Sequence, residues 1–531
     1  MFRFLNKKLK FFQSLMGSEK EAQAPQKGDM ITGHLAKDLD AFKKQAGNSP
    51  DIVIRKLTLK NNISVAVIFI DGLVFEPTVN EHILEPLTQL YVKETLGQRG
   101  SELFDDLKNR LLSVGSIKEE SSLSKTISMV FAGSTAVLLE GNKKSLLIYA
   151  PGWERRSPSE PDAEVIVKGP REGFVETLRT NTAMLRRKIG HPGLTFETIV
   201  IGERTCTEVS IAYLKGVVNP KLVKEVTRRL EGIKTDGILA AGYIEQYIED
   251  APFSPFITVG YTERPDVAAA RLLEGRVAII VDGTPIVNTV PYLFIESFQS
   301  PDDYNFRPYF STLVRWFRYL SFIGSVLAPA LFVALTAFHQ ELLPTPLLIS
   351  MAAATEGTPL PAVGEALIMG LIFEILREAG IRLPKAIGQA VSIVGALVIG
   401  EAAVAAGFVG APMVIVVAFT AIASFVVPQL NEVGAVLRII FTTMAGFFGL
   451  YGMLICFLII LAHMVSLRSF GVPYLSPISP LMPKDLKDVL VRAPIWSMIT
   501  RPETIGVSDP IRQEFNLMPE PDNNKKNNPD S

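Results

Sequence analysis

The chain changes character near residue 317. Upstream, short β-branched runs alternate with amphipathic stretches. From Phe317 to Leu467, long apolar runs follow one another. In the upstream part, Asp51–Leu57 and Ile63–Ile70 read as strands, the second ended by an Asp71-Gly72 turn. Thr78–Leu96 and Ser101–Leu112 have helical periodicity. Thr135–Leu139 and Ser145–Tyr149 form an expected hairpin closed by Gly141-Asn142. A proline-rich connector follows at 151–162. Beyond it, Glu164–Lys168, Glu197–Ile201, Glu208–Val218, Ile238–Ala240 and Arg276–Val281 read as strands. Phe174–Ile189, Pro220–Gly232 and Arg264–Leu273 read as helices.

The expected architecture is therefore a multi-domain α/β region of two subdomains, at 33–150 and 163–298, followed by an α-helical transmembrane bundle at 317–467. About five spans are expected: Phe317–Phe338, Pro361–Leu376, Ile387–Ala406, Pro412–Val427 and Leu437–Val465. Leu347–Thr355 is too short to cross and reads as a re-entrant or surface segment. Residues 1–32 form a lead whose first 17 residues suit a short basic amphipathic helix. Such a helix either lies on a membrane face or packs on its own domain. Residues 468–531 are a polar tail, with about the last 13 disordered.

Charge sharpens this picture. The 151 residues from Phe317 to Leu467 hold twelve charged side chains, against 95 in the other 380. Arg307, Arg315 and Arg318 precede the first span, and Arg377, Arg382 and Lys385 lie between the second and third. Both sites therefore fall on the cytoplasmic side. Five crossings would place Arg468, Lys484, Lys487, Arg492 and Arg501 outside, where the charge rule disfavours them. A cytoplasmic tail is preferred. The net charge of −1 argues against a nucleic-acid partner. Cys206 and Cys456 give neither metal spacing nor a disulfide framework. No cleavable signal peptide and no motif for an enzyme, cofactor or metal is found.

Seven of the twelve charges are acids, and an acid in hydrocarbon needs a partner or a function. Glu374 and Glu378 share a helix face, with Arg377 and Arg382 at ion-pair spacing, so they read as charges at the cytoplasmic rim. Glu365 faces the other way and has no local basic partner. Glu365, Glu374, Arg377 and Glu378 are thus candidates for gating or assembly. On the third span, Gln389, Ser392, Ile393, Ala396, Gly400 and Ala403 lie within about 60° of one line. That small and polar stripe suits either close helix packing or, in a ring of copies, a pore lining. On the fifth span, Ala445, Gly446, Gly449 and Gly452 form a small surface suited to helix packing. In the second subdomain, Arg171, Glu172, Arg179 and Arg186 form a charged group suited to phosphate, acidic lipid or a salt-bridged subunit interface.

Several long stretches carry a family resemblance: DGLVFEPTVNEHILEPL, PGWERRSPSEPDAEVIVKGPREGFVETLRTNTAMLRRKI, RPDVAAARLLEGRVAIIVDGTPIVNTVPYLFIESFQSPDDYNFR, FEILREAGIRLPKAIGQAVSIVGALVIGEAAV and RSFGVPYLSPISPLMPKDLKDVLVRAP. From about Asp51 to about Pro502 the chain resembles the A subunit of the GerA-type spore germinant receptors. The resemblance implies a multi-pass protein of the spore inner membrane, with its N-terminal domains on the spore-core side. It implies a transporter-like B subunit that binds the germinant, a lipoprotein C subunit, and self-assembly, possibly as a pentamer, into a ligand-gated ion channel. A non-conducting scaffold that relays the B subunit's state is the alternative. A transporter would be expected to carry inverted repeats, and the sequence displays none.

Overall fold

The computed structural model describes residues 30–514 and 517–519, apart from internal stretches, the longest at 93–103, 109–116, 153–160 and 383–399. The lead helix, most of the 151–162 connector and most of the third span lie outside the described residues. The chain forms two compact units. The first comprises 1–157 with 182–197, and the second 158–181 with 198–531. These units cut across the boundaries read from the sequence, because 182–197 belongs with the first unit and the tail belongs with the second.

The first unit is built on five antiparallel strands: β1 (Ile52–Thr58), β2 (Ser64–Ile70), β3 (Ile117–Glu120), β4 (Ser134–Leu139) and β5 (Ser145–Tyr149), in the order β1-β2-β4-β5-β3. Helices α1 (Leu35–Ala46) and α2 (Leu123–Phe131) cover one face, where Phe42, Phe131, Ile68 and Leu138 are buried together. The expected hairpin is β4–β5, with Gly141 at φ 84° in its turn. Helix α3 (Leu178–Lys188) and strand β6 (Leu194–Ile201) come next.

The second sheet holds β6, β7 (Thr207–Leu214), β8 (Gly260–Thr262), β9 (Val277–Val281) and β10 (Val287–Val290), in the order β6-β7-β9-β10-β8. Helices α4 (Pro220–Glu231), α5 (Ala241–Ile248) and α6 (Pro265–Leu273) accompany it. This is the strand order of the first sheet again. Ile52 and Leu194 open the first strands, Leu123 and Pro265 the last helices, and Ser145 and Val287 the last strands. Each pair is 142 positions apart. The two subdomains are copies of one unit in tandem. Glu164–Lys168 and Ile238–Ala240, expected as strands, are not strands among the described residues.

The apolar region corrects the expected number of spans. Two described helices are long and apolar enough to cross a membrane: α7 (Pro308–Ala337) and the stretch Pro428–Ser466, most of which is α11 (Asn431–Ser466). Among the described residues, two of the expected spans fall short. Helix α9 (Ala362–Arg382) carries Glu365, Glu374, Arg377, Glu378 and Arg382. Helix α10 (Ala411–Ser424) has 14 residues, roughly 21 Å against the ~30 Å of a hydrocarbon core. Helix α8 (Thr345–Thr355) is short, as its sequence implied.

Helix α11 is folded back on itself. A straight helix of its 36 residues would measure ~54 Å. Yet Gln429, just before it, accepts a hydrogen bond from Tyr292 at 3.1 Å, while His463, near its end, lies 2.9 Å from Ser254. Tyr292 and Phe256 belong to one buried cluster, so both ends return to the second sheet domain. The reversal is at Gly449, whose backbone (φ 59°, ψ −144°) is not helical. A side chain there would be strained and would meet Phe338 Cβ at 2.9 Å. Of the residues read as a packing surface, Gly449 is thus the turn, while a side chain at Gly446 would collide with Val363 of α9 and Ala445 is buried in the helical core. The fold-back also places the tail against the sheet domain. Residues after Ser466 return to the second sheet domain, where Phe470 N–H donates to Asp250, Arg501 to the Leu273 carbonyl, and Ser508 N–H to the Val217 carbonyl.

Candidate functional site

A polar junction of the second unit lies where α7 leaves the sheet domain. Arg315 has no exposed surface. Its Nε and Nη2 donate to Asp303 at 3.2 and 3.0 Å, and its Nη1 donates to the Asp488 carbonyl and Oδ1 at 2.6 and 2.9 Å. Arg318, one turn on, donates to both Asp303 carboxylate oxygens at 2.8 Å. Tyr304 donates its hydroxyl to Asp488 Oδ2 at 2.6 Å. Burial, reinforced by the Asp488 charge, holds that phenol well above its usual range, so it remains a donor.

The tail then wraps α7. Trp316 Nε1 donates to the Leu490 carbonyl at 2.8 Å, and Arg492 N–H donates to Thr312 Oγ1 at 3.1 Å. Asp303, Arg315, Arg318, Tyr304 and Asp488 therefore tie three segments together: the short helix before α7, α7 itself and the tail. The sequence treated Arg315 and Arg318 as orientation charges and gave Asp303 and Asp488 no role. Their one visible signal is that SPDDYNFR and KDLKDV, which contain these acids, lie in the stretches that carry the family resemblance.

Among the helices, Glu365 is 2% exposed and has a partner of another kind than an arginine. Its Oε2 accepts the Gly410 N–H at 3.2 Å. Gly410 immediately precedes α10, so the carboxylate sits at a helix N-terminus, where backbone donors and the helix dipole favour a negative charge. A side chain at 410 would collide with the Thr355 methyl at 2.7 Å.

Glu374 pairs with Arg377 at 2.6 Å, as its spacing implied, and also with Arg438 of α11 at 3.3 Å. Arg438 is 6% exposed and lies over the Phe373 ring at 5.9 Å. Two arginines thus converge on one carboxylate between helices. The pair of Glu378 with Arg382 at 2.6 Å is exposed, whereas Glu374 lies between α9 and α11. Arg438 was missed because its partner lies 64 positions away.

Of the small and polar stripe, Gln389, Ser392, Ile393 and Ala396 lie outside the described residues. Gly400 is buried, and a side chain there would meet Val414 at 3.1 Å. Ala403 packs on the helical core.

The proposed charged interface is corrected at one position. Arg186 is fully buried within the first unit. It donates to both carboxylate oxygens of Asp51 at 2.8 and 3.1 Å and to the Leu194 carbonyl at 2.6 Å, with its guanidinium between the rings of Phe131 and Phe196. It is unavailable to a partner because 182–197 folds into the first unit. Arg171 and Glu172 precede α3 and are not on it. Arg179 pairs with Glu208 at 3.7 Å, both about half-exposed.

Comparison with known proteins agrees with the resemblance. The family model described as Bacillus/Clostridium GerA spore germination protein matches residues 40–504. "Spore germination protein KA" of Bacillus subtilis is 44% identical over 496 residues, covering 93% of this chain and 90% of that protein. "Spore germination protein GerLA" of Bacillus cereus is 37% identical, covering 90% and 97%. The solved N-terminal domain of the A subunit of the Bacillus megaterium spore germinant receptor GerK3 is 33% identical. It covers 50% of this chain and 97% of that domain, with a TM-score of 0.41. The chain belongs to the GerA family of spore germination proteins.

Proposed function

We propose that this chain is the A-type subunit of a nutrient germinant receptor of the spore inner membrane. It acts with a transporter-like B subunit and a lipoprotein C subunit. It assembles with copies of itself, possibly as a pentamer, into an ion channel opened by germinant binding to the B subunit. The sheet domains and the tail lie on the spore-core side, and α7 and the two arms of α11 extend into the lipid. The observation that carries this reading is the junction at Arg315. A change in the sheet domain or tail reaches α7 through buried charge-assisted hydrogen bonds, which are strong and directional. Glu374 with Arg377 and Arg438, and Glu365 at the start of α10, then serve as assembly points within the bundle.

A second reading is favoured by one observation. Gly400 and Ala403 pack inside their own chain, which suits a subunit that relays a signal to a separate channel. Reconstitution separates the two. With all three subunit types in liposomes, germinant-evoked ion flux supports the channel. Absence of flux from a fully assembled complex supports the relay.

A further inference from the structure

The tail touches α7 along a line and not at one point. Tyr319 donates its hydroxyl to the Val489 carbonyl at 3.3 Å, Trp316 Nε1 donates to the Leu490 carbonyl at 2.8 Å, and Arg492 N–H donates to Thr312 Oγ1 at 3.1 Å. These bonds set the segment 489–492 antiparallel to α7, running from the level of Tyr319 back to that of Thr312. Val489 and Arg492 are buried, whereas Leu490 and Val491 between them are 53% and 52% exposed. We propose that this segment is a lipid anchor. Leu490 and Val491 insert at the boundary between headgroups and acyl chains of the membrane that α7 enters. The proposal rests on the reading of α7 as a membrane helix and extends lipid contact to the tail.

The segment lies at the right depth. Helix α7 has 30 residues and ends at Ala337. A hydrocarbon core takes about 20 of them, and counting back from Ala337 reaches Arg318. Thr312 to Tyr319 therefore straddle the membrane boundary, and the tail is bonded to that stretch.

The segment also lies beside the right face. Tyr309, Phe310, Leu313, Trp316, Phe317 and Leu320 are all exposed, and at 100° per residue they fall within about 60° of one line. Arg315 and Arg318 are on the opposite side, turned to Asp303. The apolar stripe of α7 thus begins before the hydrocarbon does, with Tyr and Trp at the level where such side chains place an apolar body in lipid and a polar tip in the interface. Trp316 belongs to the stripe and holds Leu490, so the tail widens the same surface.

The backbone chemistry favours lipid over a protein partner. The Val489 and Leu490 carbonyls and the Arg492 N–H are all taken by α7, leaving apolar side chains to face outward. Internal satisfaction of backbone polar groups is what insertion among lipid chains demands.

The test uses the full chain in phospholipid nanodiscs, with Cys206 and Cys456 replaced. Nitroxide labels are placed singly at Leu490→Cys, Val491→Cys, Leu331→Cys and Lys484→Cys. Leu331 is exposed on the lipid stripe of α7, and Lys484 is an exposed tail residue outside the segment. Collisions with oxygen, which concentrates in lipid, are compared with collisions with a water-soluble nickel chelate. The labels at 490 and 491 should favour oxygen several-fold over the label at 484, at a depth of ~5–10 Å into the headgroup–acyl boundary. Labels at 490 and 491 that behave like the one at 484 overturn the anchor. So does exclusion of both reagents, the mark of a second copy or another protein covering the segment. The label at 331 reads the membrane helix separately. A lipid signal there with a water signal at 490 and 491 sinks the anchor and leaves α7 in the membrane, while water signals at all three sink both. A second measurement needs no cysteine. With Trp153→Phe and Trp496→Phe, Trp316 is the sole tryptophan. Lipids brominated near the headgroup end of their chains should quench it strongly, and absence of quenching overturns the depth assigned to the segment.

Discussion

Arg315 of α7 and Asp488 of the tail are 173 positions apart, and they meet with no exposure on the arginine and a 2.9 Å hydrogen bond between their side chains. This pair decides how the tail is used. It does not trail from the membrane region but grips the first long apolar helix at its base. Breaking a buried pair by removing one partner costs about 3–5 kcal/mol, because the other charge is left buried. Asp488→Ala should therefore lower the thermal midpoint of the full chain. It should also raise hydrogen exchange across 485–492 more than Lys484→Ala does, since Lys484 makes an exposed pair with Glu503.

The fold-back at Gly449 makes a distance prediction. Ile439 and Leu458 are exposed residues on opposite sides of the turn. In a straight helix they would be ~28 Å apart along the axis, whereas antiparallel arms bring them much closer. Spin labels at the two positions, with Cys206 and Cys456 replaced, should report the short distance. Gly449→Val should lengthen or scatter it, since the positive φ disfavours any β-branched residue.

Much of this was legible locally. The β4–β5 hairpin and helices α4 and α6 follow from period and turn chemistry within a dozen residues. What was not legible depends on partners far along the chain. Arg438 finds Glu374, Arg315 finds Asp488, and Glu365 finds a backbone N–H 45 positions on. The glycines around Gly449 were visible, but small residues suit close packing and tight reversal equally well. The repeat was hidden because matched positions such as Ser134 and Arg276 share backbone geometry and not side-chain chemistry.

Glu365 and Gly410 predict a graded response. Glu365→Gln retains a carbonyl acceptor for the Gly410 N–H and should be mild. Glu365→Leu leaves that donor unsatisfied and should destabilise the chain by about 1–3 kcal/mol. Equal effects in thermal unfolding would show that the contact carries no stability.

Glu245 on α5 gives the pH dependence. Burial, with Glu249 and Glu432 nearby, pushes its carboxyl up to about 7. A raised native value favours the neutral form. Its contribution is full below the unfolded value near 4.5 and is lost as pH rises through about 7. The thermal midpoint should therefore fall between pH 5 and 8, and Glu245→Gln should flatten that slope.

Arg186 and Arg179 separate core from surface. Arg186→Ala should cost about 3–5 kcal/mol, because it strands Asp51 in the first unit. Arg179→Ala removes a half-exposed pair and should cost under about 1 kcal/mol.

The junction at Arg315 is proposed to pass the state of the sheet domain and tail to α7 and α11. Ion release from spores carrying Asp488→Asn in this chain tests it most directly, with the chain and its complex quantified in the inner membrane. Asparagine preserves the shape and removes the charge that Arg315 and Tyr304 hold. Germinant-triggered ion release should be strongly slowed while the amount of complex is unchanged. Unaltered release kinetics, with the tail shown by hydrogen exchange to have loosened from α7, would contradict it.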